Sequence, residues 1–185
     1  MAEAPIASAW CDSEALAAVS EQLARERVVQ LSGFLTELPE LPPAGKLTRE
    51  EWPGFAVRAT GPPQLADFWR SPPLAEWLAQ ATGARWALGD CRHECYGPGD
   101  YSLLHDAEGE GERLLLALDL TRQPQAVHGG FHIFSFADGA QAICERETGA
   151  LLLARLGAGD LHCVRYVSQL SQGAVRLECA HFELS

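Results

Sequence analysis

Residues 85–120 read RWALGDCRHECYGPGDYSLLHDAEGEGERLLLALDL. Short apolar runs are broken here by Gly-Pro-Gly-Asp and by an acidic, glycine-rich turn. That punctuation predicts strands over 85–96, 101–105 and 113–120. The same rhythm continues to the C-terminus, with strands predicted over 130–136, 141–145, 150–155, 162–168 and 174–183. Many short strands at regular spacing indicate a sandwich or a barrel.

Towards the N-terminus the pattern changes. Asp12 and Ser13 are good helix N-cap residues before EALAAVSEQLARE, where Leu16, Val19 and Leu23 recur at helical spacing. Arg27 to Leu31 (RVVQL) reads as a short strand, and Ser32-Gly33 as a turn. Pro39, Pro42, Pro43, Pro53, Pro62 and Pro63 crowd residues 38–64 and argue against long regular elements there. Ser71-Pro72-Pro73 opens a second helix, with Leu74, Trp77 and Leu78 on one face and Gly83 closing it. The expected class is α+β, mainly β, in a single domain over 1–185. Residues 1–84 are expected to form a helical and loop support, and 85–185 the β core.

Composition excludes several function classes. The chain has 185 residues, 47% hydrophobic and 21% charged, with a net charge of −11. Those proportions are ordinary for a globular protein. An acidic balance disfavours the phosphate backbone of nucleic acids and anionic membrane surfaces, so neither is expected as a partner. No run of about 18 apolar residues occurs, so no membrane span is expected. Met1 to Trp10 carries Glu3 and no basic residue. That differs from an export signal, so a cytoplasmic location is expected. Cys11, Cys91, Cys95, Cys144, Cys163 and Cys179 are accordingly expected as reduced thiols.

The chemistry-bearing candidates are histidines. His105 ends one predicted strand and His162 opens another, in GDLHCVRYV. A closed β architecture can bring two such strands together. Two neutral imidazoles and a carboxylate on one face of a metal make the facial set of non-haem Fe(II) sites.

An ordered series of motifs resembles the Fe(II)/2-oxoglutarate dioxygenases of the prolyl-hydroxylase type. Tyr96, Gly99 and Tyr101 resemble the family's approach to its first metal histidine, and His105-Asp106 the start of its His-x-Asp motif. Gly129-Gly130 before FHIFSF, and Thr148-Gly149 before ALLLARL, resemble later strand entries. His162 with Val164 and Val167 resembles His-x-Val-x-x-Val, and Arg176 the arginine that grips the far carboxylate of 2-oxoglutarate. The resemblance covers about residues 85–183. It implies a double-stranded β-helix (jelly-roll, cupin-like) with the N-terminal helices packed on one sheet. It implies Fe(II) on His105 and His162, and 2-oxoglutarate as co-substrate beside Arg176 and Tyr96. No catalytic residue beyond these is expected. The implied activity is oxygenation, usually hydroxylation, of a peptidyl side chain or a small molecule.

One position departs from the family. The carboxylate ligand should stand two residues after the first histidine, where this chain has Ala107. Three readings follow. Asp106 or Glu108 reaches the metal; or the vacated position takes a halide, as in 2-oxoglutarate-dependent halogenases; or the fold persists as a non-catalytic binding module. The strand after His105 also lacks the tyrosine that relatives often place against the co-substrate. Asp119, in that strand, is expected at a turn or in solvent. Cys91-x-His93-x-Cys95 reads as a buried strand face more readily than as a zinc site, because no second ligand pair accompanies it.

Overall fold

The computed structural model describes residues 6–41, 43, 46–52, 54–106 and 111–185. Helix α1 spans Ser13–Glu26, and its first turn is capped by the Asp12 carboxylate, which accepts from the Glu14 N–H at 2.7 Å. Helix α2 is the single turn Ala66–Trp69, and α3 spans Pro72–Thr82. The Ser71 hydroxyl caps α3, and Gly83, at φ 73°, ends it. Both long helices start where the sequence places their N-caps, and α3 stops at Gly83 as expected, whereas α1 ends at Arg27, with φ 63°.

Strands β1 (Val28–Leu31), β2 (Thr48–Trp52) and β3 (Ala56–Gly61) come from the first 84 residues. The remainder are β4 (Trp86–Tyr96), β5 (Tyr101–Ser102), β6 (His105–Asp106), β7 (Arg113–Asp119), β8 (His132–Ser135), β9 (Gln141–Cys144), β10 (Leu151–Leu156), β11 (Leu161–Val164) and β12 (Val175–Leu184). They build an eight-stranded sheet of order β1-β10-β7-β12-β4-β3-β2, with β5 on β3, and a four-stranded sheet of order β6-β11-β8-β9. Every named pairing is antiparallel. From β4 onward the chain passes repeatedly between the sheets, which is the double-stranded β-helix.

The prolines of residues 38–64 permit more order than expected. Pro62 lies just beyond the end of β3, so the β2–β3 hairpin forms and extends the large sheet. The N-terminal third is therefore woven into the large sheet as well as packed upon it.

Two apolar cores use opposite faces of the large sheet. Leu115, Ala117, Leu152, Leu177 and Cys179 meet Phe134, Phe136 and Val164 of the small sheet. Leu114, Leu116, Leu118, Leu151, Leu153 and Ala180 instead meet Leu16, Leu23, Leu74, Trp77 and Leu78 of the helices. β7 is buried at all seven positions because it serves both cores, which explains the unbroken run LLLAL.

Candidate metal centre

Strand pairing brings the two expected metal histidines together. β6 and β11 place His105 opposite His162, and their ring centroids lie 6.5 Å apart. The His105 Nδ1 hydrogen-bonds the Leu103 carbonyl at 2.7 Å, which makes Nε2 the ring's lone-pair nitrogen. A metal-binding imidazole is commonly oriented in this way. Phe55, from the β2–β3 turn, covers the ring at 4.6 Å between centroids. The His162 ring stacks on Phe134 at 4.7 Å.

A third imidazole, His132, completes the group. Its Nδ1 lies 2.9 Å from the His162 Nε2, with the rings stacked at 14°. Burial holds His132 down at about 4. Burial, then the neighbouring His132 and His105, holds His162 well below the usual imidazole range. Both rings are therefore neutral near pH 7 and able to donate a lone pair. Sequence reading left His132 aside, although its alternation with Phe134 and Phe136 places all three on the inward face of the small sheet. Among the described residues, no three donor side chains converge tightly enough to hold an ion without adjustment. Ala107 and Glu108 lie outside the described residues, and Asp106 is described only in its backbone, opposite Leu161.

Tyr96 is fully buried between the sheets, as a residue lining the interior should be, but it is already engaged. Its hydroxyl donates to Glu94 Oε2 at 2.8 Å and accepts from Arg58 Nη1 at 3.3 Å. Glu94 also meets Arg58 at 2.8 Å and Arg92 at 2.7 Å. Burial alone would raise the Glu94 carboxyl, but the two guanidinium groups and the Tyr96 hydroxyl outweigh it and hold it at about 2. The Tyr96 phenol is pushed up by burial and by the Glu94 charge, so it remains protonated.

Arg176 requires a correction. Val175, Leu177 and Cys179 belong to the core between the sheets, whereas Ala180 belongs to the core beneath the helices. The strand pleat therefore sets Arg176 and Glu178 on the helix side, across the sheet from the imidazoles. There the Arg176 Nε donates to His93 Nε2 at 2.9 Å, and the His93 Nδ1 meets Glu178 Oε1 at 2.8 Å. Glu178 further accepts from Gln64 N at 2.9 Å and from Trp69 Nε1 at 3.4 Å. This network also settles Cys91-x-His93-x-Cys95 as a packed strand face, in which His93 is fully buried against Glu178.

Asp119 is a second correction. It is only 6% exposed and projects inward with Leu115 and Ala117. One carboxylate oxygen accepts from the Thr121 N–H at 2.8 Å, and the other is buried with no hydrogen-bond partner among the described residues. Burial raises its carboxyl. Asp119, His132 and Arg146 line a cavity of about 10 Å³, enough for roughly one water molecule.

These observations test the two implied groups separately. His105 and His162 offer two imidazoles of the donor type a divalent transition metal takes, but the described residues gather no third donor around them. They do not extend to 2-oxoglutarate at the expected place, because Arg176 points to the other face and the interior side of β12 there is Val175 and Leu177.

No family model matches the chain, and no curated protein matches it. Solved structures do. A 2OG-Fe(II) oxygenase family oxidoreductase from Burkholderia pseudomallei aligns with a TM-score of 0.66 at 12% identity, over 91% of this chain and 89% of that one. A prolyl-4-hydroxylase from Pseudomonas putida aligns with a TM-score of 0.64 at 17% identity, over 92% and 99% respectively. A prolyl hydroxylase from Trichoplax adhaerens, in complex with a hypoxia inducible factor peptide fragment, aligns with a TM-score of 0.61 at 12% identity, over 93% and 90%. The fold is that of the 2OG-Fe(II) oxygenases. At these identities the likeness concerns architecture, and the chemistry must be argued from the side chains.

Proposed function

We propose that this chain is an Fe(II)-dependent, oxygenase-like protein of the 2-oxoglutarate oxygenase fold, acting on a peptidyl side chain or a small molecule. The register pairing of His105 with His162 in the small sheet carries this reading. Bound Fe(II) would supply the dioxygen chemistry that oxidises a C–H bond. The protein's own contribution is orientation and exclusion of water. His105 is aimed by its hydrogen bond to the Leu103 carbonyl, and Phe55 and Phe134 shield the imidazoles. Trp52, Phe55, Leu103 and Leu104 remain large and exposed around the His105 end. A rim of that kind suits a substrate with an apolar portion, and the peptide held by the Trichoplax enzyme makes a peptidyl side chain the leading class. Arg176, the expected anchor of 2-oxoglutarate, faces away from the imidazoles, toward His93.

The orientation of Arg176 favours a second reading, a metal-binding module of the same fold without turnover. A halogenase reading depends on Ala107, outside the described residues. Calorimetric titration of Mn(II), as a redox-silent stand-in for Fe(II), is the first test. Binding to the wild type and its loss in His105→Ala and His162→Ala are expected; no binding under any condition overturns the metal reading. Adding 2-oxoglutarate with Fe(II) then separates the alternatives. Succinate release supports the oxygenase, while metal binding without succinate supports the module. Metal binding strengthened by chloride supports halide coordination.

A further inference from the structure

We infer that Arg176 is a strut of the fold rather than an anion anchor, and that this barrel does not take up 2-oxoglutarate beside the imidazoles. Two distributions of charge, one on each face of the large sheet, carry this, whether or not His105 and His162 hold a metal.

On the helix face, the Arg176 Nε donates to His93 Nε2 at 2.9 Å. Guanidinium N–H groups only donate, so Nε2 carries the His93 lone pair and the Nδ1 proton goes to Glu178 Oε1, 2.8 Å away. His93 and Glu178 are both fully buried. The Glu178 carboxylate accepts in addition from the Gln64 N–H and from Trp69 Nε1. Gln64 precedes α2 and Trp69 ends it, so one run of hydrogen bonds joins β12, β4 and α2. Each group in the run satisfies the next. Without Arg176, the His93 lone pair would be buried with no donor.

On the interior face, the charges that a dianion would meet are of the wrong sign or already engaged. Asp119 stands opposite Leu177 in the register, so at the level of Arg176 the interior carries a carboxylate and the cation lies behind the sheet. Arg58 is held by Glu94, Glu50 and Tyr96. Arg146 donates to the carbonyls of Gly129, Pro124 and Val127, and its Nη1 shares with Asp119 the lining of one cavity. That cavity, about 10 Å³, has room for roughly one water molecule and none for a diacid. A dianion forced in there would lose its own water and face the Asp119 carboxylate.

Two measurements test this. 2-Oxoglutarate titrated into nitrogen-15-labelled protein, with and without Zn(II) as a diamagnetic metal, should move no amide signal of Ala117, Val164 or Leu177 saturably at millimolar concentration. Saturable shifts at these interior positions would overturn the exclusion, and their loss in Arg176→Met would restore Arg176 as the anchor. The strut is read from thermal unfolding. Arg176→Met and His93→Gln should each lower Tm by about 5 °C or more. The double variant should lose clearly less than the two losses added together, because both break the same run of hydrogen bonds. A wild-type Tm in Arg176→Met, or losses that simply add, would overturn the strut. Failure of the metal reading shows separately, as absent Mn(II) binding, and the titration without metal still decides the exclusion.

Discussion

Glu94 shows how a single residue governs the interior. It is 3% exposed and accepts from Arg58, Arg92 and Tyr96 together. Glu94→Gln leaves Arg58 buried without its main counter-charge, which should cost roughly 3–5 kcal/mol. Urea unfolding at pH 7 measures it. The pH dependence follows from the same group. Its carboxyl lies at about 2 in the folded protein against an ordinary 4.5. Between those values the unfolded chain binds the proton and the folded one does not. The stabilisation is therefore complete above about pH 4.5 and is lost as the pH falls through about 2. Unfolding midpoints from pH 7 to pH 2 should show this limb, and Glu94→Gln should lack it. None of this was legible in the sequence, where HECY reads simply as strand. A motif series singles out His105 and His162, which the structure sets side by side. The nearness of His132 was not legible, because it depends on which strand lies beside β11.

At the scale of elements, sequence and structure agree most closely where local rules act alone. The caps Asp12 and Ser71 and the closing Gly83 were readable because a helix end is satisfied by its own neighbours. Ser71→Ala should cost about 1 kcal/mol in thermal or denaturant unfolding. Gly129 is the sharper case. Its φ is +91°, and an added Cβ would stand 2.2 Å from the Tyr166 carbonyl oxygen. That contact is the bridge between Gly129 and Val167, which fastens the entry of β8 to the exit of β11. Gly129→Ala should cost roughly 3 kcal/mol, a Tm loss on the order of 10 °C. Gly33→Ala is the control, since Gly33 also has positive φ but open space around it, and it should cost only about 1 kcal/mol. The β2–β3 hairpin was missed for the opposite reason. β2 is mostly exposed and carries no apolar alternation, so only its tertiary partner, β3 against β4, reveals it.

For the whole molecule, the partition into two cores decides what reagents can reach. Cys11 is exposed, and Cys95, Cys163 and Cys179 are buried. Burial pushes the Cys144 thiol up to about 11 and Cys179 well above its ordinary value. A brief alkylation at pH 7.5 should therefore add its label first at Cys11, and denaturant should be needed before Cys179 reacts; mass spectrometry of the peptides checks both. The sandwich could be read from strand spacing, since alternation and turn residues are local. Which sheet each strand joins could not, because that depends on contacts far apart in the chain.

The placement of Arg176 reduces to counting. A strand offers its residues to two sides in strict alternation, so Val175, Leu177 and Cys179, by taking the interior, commit Arg176 and Glu178 to the helix side. Turning the cation inward would take a one-residue slip of β12 against both β4 and β7, which would exchange hydrocarbon for charge along the whole strand.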